Sequence, residues 1–213
     1  MRIRAGAFAG VALLVCALAA TTEVSWSQES RRLGGLSNFG YVTDTLYRGA
    51  QPSAAGFETL RHIGVSIIVN FREESAETAR EKRQVESMGM RYAGIPWSGR
   101  HAPTDSQVIE FLDLVRSNPQ AKIFVHCERG ADRTGTMIAA YRIAVEHKPV
   151  TEAVSEMHQF HYAHFWLPGL EKYVVSLPNL LQTDARFAAY ATAPNSGAPT
   201  THSAAGAPGP ATQ

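Results

Sequence analysis

The segment from Ile123 to Val145 restricts what this chain can fold into more than any other, because an apolar run, a glycine-bearing loop and a helical run follow one another without a break. Ile123-Phe124-Val125 is short and β-branched, so it reads as a buried strand, and 136–145 reads as a helix. Between them lies His126-Cys127-Glu128-Arg129-Gly130-Ala131-Asp132-Arg133-Thr134-Gly135. A second continuous apolar run, Val65 to Asn70, is the signature of a strand covered on both faces. Strands alternating with helical runs predict an α/β fold: a single domain with a central, mostly parallel sheet flanked by helices.

The remaining elements fill in around these two strands. Further strands are expected at 46–48 and 92–95, and the central one at 122–125. Helices are expected at 53–62, 76–88, 104–117, 134–147, 151–161 and 168–182. Thr104 with Gln107 three residues on has the spacing of a capping box. Ligands in such sheets bind beyond the carboxyl ends of the strands, so the cysteine loop, the turn at 70–74 and the loop at 96–104 are expected to meet at one pocket.

The loop chemistry is that of a phosphate cradle. A helix N-terminus has unpaired N–H groups and a partial positive charge, and Gly130 lets the backbone curl so that successive amides surround an anion. The same field favours the thiolate of Cys127, the form that acts as a nucleophile. Arg133, six positions on, offers a planar fork to two phosphoryl oxygens. Thr134 is placed to donate to the cysteine sulfur and ease its departure when water attacks a phosphocysteine. Glu128, Arg129, Gly130, Ala131 and Asp132 line the phosphate-binding side, and His126 orients the loop from the strand end. A cysteine buried beside a strand is often inert core; the spacing, the following threonine and the flanking strand and helix together speak for catalysis.

With His-Cys, five residues, Arg and Thr complete, the sequence resembles the cysteine-dependent protein tyrosine phosphatase superfamily. Leu46-Tyr47-Arg48-Gly49-Ala50-Gln51-Pro52, Ile68-Val69-Asn70-Phe71-Arg72-Glu73 and Tyr141-Arg142 make it similar to bacterial dual-specificity phosphatases. These are related to atypical fungal and plant enzymes that include inositol pyrophosphate phosphatases. The resemblance covers roughly 38–182 and implies a hydrolase acting on a phosphorylated protein, with a small phosphorylated metabolite as the alternative substrate. It also implies a general acid on the loop before the cysteine strand. The only carboxylate there is Asp105, with Asp132 inside the motif and His101 as the other candidates. Ala131 stands where lipid-directed relatives often carry Lys. Arg72 is placed either to contact substrate or to brace the loop. A non-catalytic phosphate-binding module and a sulfurtransferase are the rival readings.

The chemistry asks for no cofactor and no metal; His158, His161 and His164 have a threefold spacing with no carboxylate or cysteine to complete a ligand set. With 20 Lys and Arg against 19 Asp and Glu, bulk charge gives no support for nucleic-acid or membrane attraction. Residues 1–20 read as a secretory signal: Arg2 and Arg4, an apolar core from Ala7 to Ala19, and the small-residue pattern Ala17-Leu18-Ala19. Export to the periplasm is expected, with an uncleaved membrane anchor as the alternative. Removal of Cys16 with that signal leaves Cys127 the sole thiol, so no intramolecular disulfide forms. The expected organisation is signal 1–20, linker 21–37, catalytic domain 38–185, and a disordered tail 186–213 rich in Ala, Thr, Pro, Gly and Ser.

Overall fold

The computed structural model describes residues 32–191. Its centre is a five-stranded sheet of order β3-β4-β7-β5-β6, built from Gly40–Tyr41 (β3), Leu46–Gly49 (β4), Lys122–His126 (β7), Val65–Asn70 (β5) and Arg91–Gly94 (β6). Only β3 runs antiparallel to its neighbour. Helices α1 (Ala54–His62), α2 (Ala76–Ser87), α3 (Asp105–Arg116), α4 (Asp132–Ala144), α5 (Val150–Gln159) and α6 (Pro168–Thr183) surround it.

The two-residue period of each strand sorts its side chains between two cores. Ile67, Val69, Ile123 and Val125 face one way and pack with Phe111, Leu112, Met137, Ile138, Val174 and Leu177. Ile68 and Phe124 face the other way and meet Leu36, Phe39, Phe57, Leu60 and Val85. Covering on both faces is why these strands read as unbroken apolar runs. Helix α4 has almost no exposed face, since α3, α5 and α6 enclose it against the sheet.

The capping signals act where the sequence puts them. Ser53 caps α1, Ser75 and Thr78 form a reciprocal box on α2, and Thr104 and Gln107 do so on α3. Helix α4 has no side-chain cap at Ala131. Its first N–H groups are therefore left to the loop that enters it.

The expected limits of the domain need correction at both ends. The linker expected over 21–37 contains a hairpin, Arg32–Leu33 (β1) with Leu36–Ser37 (β2), because Leu36 is buried against Phe39 and Phe57 and the Gly35 carbonyl accepts from the Ser53 N–H at 3.2 Å. The tail expected from 186 does not begin there. Phe187 is buried within a 3₁₀ turn, Ala185–Phe187, and the Tyr190 hydroxyl donates to Asp113 at 2.6 Å. The helix expected at 134–147 starts at Asp132 and stops at Ala144. The signal at 1–20 and the tail beyond 191 lie outside the described residues. No helix among the described residues is long and apolar enough to cross a membrane.

Candidate active site

The register of the sheet assembles the site. Gly49 and Asn70 both pair with His126, so β4, β5 and β7 end together and deliver 49–52, 70–72 and the cysteine loop to one edge. Gly130 has φ +70°, and a Cβ there would lie 2.4 Å from the Gly49 carbonyl and 2.6 Å from the Ala50 nitrogen. Only glycine fits that turn and that approach together. Cys127 sits at the base of the loop, 2% exposed.

Each carbonyl of the loop is held from outside. The Cys127 oxygen lies 3.1 Å from His126 Nδ1, the Glu128 oxygen accepts from the Gln51 N–H at 3.1 Å, the Arg129 oxygen from Asn38 Nδ2 at 3.1 Å, and the Gly130 oxygen from Arg48 Nη2 at 3.1 Å. A trans peptide points its C=O and N–H in opposite directions. Fixing four carbonyls outward therefore aims the N–H groups of Glu128, Arg129, Gly130 and Ala131 into the loop. Three of the four donors come from 38–51, a segment far from the loop in sequence.

Beneath the loop two buried charge networks meet. On one side His126 Nε2 lies 2.8 Å from Glu81 Oε1, while Glu81 Oε2 accepts from Gln51 Nε2 and, at 3.0 Å, from Asn70 Nδ2. Both nitrogens of His126 face acceptors, and the ring serves both only when doubly protonated. Burial pushes the Glu81 carboxyl up, but hydrogen bonds from His126, Gln51 and Asn70 and the His126 charge together hold it below the usual carboxylate range. On the other side Arg48, fully buried, reaches Glu156 Oε1 at 3.4 Å and lies 3.8 Å above the Phe160 ring. Burial pushes its guanidinium down to about 10, against the opposing charge and hydrogen bond of Glu156.

The residues singled out from sequence do not all converge. Arg133 lies between the loop and residues 97–99, with Nη1 donating to the carbonyls of Trp97 at 3.2 Å and Phe71 at 3.4 Å. Thr134 Oγ1 is buried and has no hydrogen-bond partner among the described residues, so the expected bond to the cysteine sulfur is not formed in this structure. Asp132 accepts from Arg129 Nη2 at 2.6 Å and from the Ala163 N–H at 2.9 Å. Both its oxygens brace the loop against the segment after α5. Asp105 turns to the other end of the chain: its oxygens accept from the Tyr173 hydroxyl at 3.0 Å and from Arg186 Nη2. Burial, then the bond and charge of Asp105, push the Tyr173 phenol up.

Arg72 acts as a brace, donating to Gln51 Oε1 at 2.9 Å and pairing with Glu77 at 2.8 Å. Glu128, Arg129 and His101 are exposed, and Ala131 is buried at the helix entry. His158 pairs with Glu171 at 3.3 Å, and no group of three or more His, Cys, Asp or Glu among the described residues could hold a metal ion. Sequence reasoning missed Arg48, Glu81, Asn38 and Glu156 as parts of the site. Two of them carried a signal: Arg48 is a charge inside a strand with Leu46 and Tyr47, and Glu81 falls on the Thr78 and Val85 face of α2, the face that is buried.

Comparison with known proteins agrees with this architecture. Residues 36–165 match the family described as DSP-PTPase phosphatase fused to NAD+ kinase. Dual specificity protein phosphatase 26 of Homo sapiens is 28% identical over 118 residues, covering 53% of this chain and 54% of that protein. The chain thus spans about half the length of these mammalian relatives. Dual specificity protein phosphatase TpbA of Pseudomonas aeruginosa is 27% identical over 140 residues, 65% of this chain and 60% of that protein. A crystal structure of TpbA with serine in place of a cysteine, in complex with pTyr, gives a TM-score of 0.60 at 22% identity over 76% of this chain and 99% of that one. The core catalytic domain of the PP-IP phosphatase SIW14 from S. cerevisiae gives 0.55 at 18% identity over 70% and 94%. These two structures share the fold.

Proposed function

The chain belongs to the family of DSP-PTPase phosphatases fused to NAD+ kinase, and on that premise we propose that it hydrolyses phosphate monoesters through a phosphocysteine at Cys127, with phosphotyrosyl proteins as the preferred substrate. The observation that carries this reading is the loop with four outward-held carbonyls, whose inward amides form a preorganised anion cradle above a buried thiol. The Cys127 thiolate attacks phosphorus, an S–P bond forms, and the P–O bond to the leaving group breaks. Arg133 swings from the Trp97 and Phe71 carbonyls onto two phosphoryl oxygens. Water then attacks phosphorus, the S–P bond breaks with the Thr134 hydroxyl donating to the departing sulfur, and phosphate leaves.

The leaving group decides the substrate class. Both oxygens of Asp132 and both of Asp105 already accept hydrogen bonds from other parts of the chain, so both carboxylates are engaged away from a leaving group. A phenol, with a pKa of about 10, departs with far less help than an aliphatic alcohol. Phosphotyrosine is favoured on that ground over phosphoserine, phosphothreonine and simple inositol phosphates. The rim argues in the same direction: Glu128 stands beside Arg129, a poor surface for a polyanion. The signal read in residues 1–20 supports a periplasmic location for this activity.

The test is turnover of aryl phosphates, phosphopeptides and inositol phosphates by the full chain. Vanadate-sensitive turnover that Cys127→Ser abolishes, with phosphotyrosyl peptides preferred, is the expected result. Equal turnover by Cys127→Ser overturns the mechanism; phosphate binding without turnover makes the protein a binding module; preference for inositol pyrophosphates overturns the substrate class.

A further inference from the structure

Arg48 is the largest fully buried side chain of the domain, and its charge is poorly matched. Burying a guanidinium is costly unless carboxylates pair it closely. Its one carboxylate partner among the described residues, Glu156, stands at 3.4 Å, beyond the 2.7 to 2.9 Å of a close charge-assisted bond. Glu156 is better engaged by Arg142, whose Nε meets Oε2 at 2.7 Å, and Arg142 has a second carboxylate in Glu146 at 2.8 Å. Arg48 Nε has no hydrogen-bond partner among the described residues. The Phe160 face at 3.8 Å supplies part of the compensation. Its Nη2 donates to the Gly130 carbonyl at 3.1 Å, which holds the guanidinium against the cysteine loop, three residues from Cys127.

Resting on the reading of Cys127 as nucleophile, we propose that Arg48 is a positioning residue with two tasks: a buried positive charge beneath the cysteine loop that favours the Cys127 thiolate, and a tether on the Gly130 carbonyl that turns the Ala131 N–H into the cradle. The under-paired guanidinium and the buried thiol are then one device, each lowering the cost of the other's charge. The other charges bearing on the pair come from β7 (His126, with Glu81 of α2 behind it), from the loop (Arg129), from α4 (Asp132, Arg133 and Arg142, with Glu146) and from α5 (Glu156). Among them Glu156 alone competes directly for Arg48.

The experiment measures the rate of Cys127 alkylation by iodoacetamide against pH, without substrate, beside kcat and KM on an aryl phosphate. Arg48→Met moves the alkylation profile toward higher pH by about one unit or more, and lowers kcat roughly tenfold or more with a smaller change in KM. Arg48→Lys restores the profile but not kcat, because an ammonium keeps the charge and loses the planar fork. Glu156→Gln moves the profile the opposite way, toward lower pH. A folded Arg48→Met whose profile superimposes on the wild type overturns the proposal. If Arg48→Met fails to fold, an unmoved or upward-moved profile in Glu156→Gln overturns it instead. Alkylation reads the thiol whether or not the protein turns over phosphate, so loss of the phosphatase reading through an active Cys127→Ser stays distinguishable from loss of this one.

Discussion

On the β4 side of the site, four successive carbonyls of the cysteine loop are tied to His126, Gln51, Asn38 and Arg48, and behind them lie the buried Glu81 and the partly exposed Glu156. Across the pocket, Arg100, His101, Ala102 and Thr104 are exposed, and Asp105 spends both oxygens on Tyr173 and Arg186. Arg133 is the bridge between these walls, reaching the Trp97 carbonyl from α4. The contrast teaches where the chain has invested rigidity. The wall that must hold an anion in fixed geometry is over-determined, whereas the wall that would handle the leaving group is open.

If the comparison is right, substitutions on the β4 side are expensive and those on the other side are cheap. Gly130→Ala has the largest expected effect, because it combines a positive φ with a contact at 2.4 Å to the Gly49 carbonyl. A loss of roughly 2 to 5 kcal/mol is expected, read as a fall in denaturation midpoint, together with near-complete loss of turnover. A stable and active Gly130→Ala would mean that the loop is not pressed onto β4.

Glu81→Gln comes next, with about 1 to 3 kcal/mol lost at neutral pH. The sign of its pH dependence follows from the depressed carboxyl. A group held below its unfolded value, about 4.3 for Glu, gives its full stability above that value and loses it as pH falls through the folded one. The gap between wild type and Glu81→Gln should therefore be widest near neutrality and close in acid. Chemical denaturation at a series of pH values checks it, and a gap that widens in acid would break the account.

Asp105→Asn is the mildest. It should lower the denaturation midpoint only slightly, because the Arg186 pair is exposed and screened, and cost far less in kcat than the ~100-fold or more that removal of a general acid brings. The basic limb of the rate profile should not move. A large fall in kcat confined to substrates with poor leaving groups would show that the open wall supplies the proton after all.

Much of the fold's framework was legible in the sequence and little of the rigid wall's bracing. Val65–Asn70 is a continuous apolar run because both its faces are covered, and the Thr104 and Gln107 box is a local pattern. The cysteine loop likewise carries its meaning in seven consecutive positions, from Cys127 to Arg133. Arg48, Asn38 and Glu81 reach the loop or its His126 across sequence separations of 45 to 91, Glu156 meets Arg48 across 108, and nothing in the local pattern marks their partners. The strands of the hairpin and β3 are two residues each, too short for any periodicity to declare them. The partners of Asp105 were hidden for the same reason: Tyr173 and Arg186 lie in α6 and in a 3₁₀ turn where a tail was expected.

The central claim is a covalent phosphocysteine, and the most direct measurement is its capture. Wild-type protein mixed with a phosphotyrosyl peptide and quenched in acid within one turnover should gain the mass of a single phosphoryl group, located by fragmentation on the peptide that contains Cys127. A phosphoryl group on any other residue, or sustained turnover in which neither wild type nor Cys127→Ser ever carries one, would contradict the account.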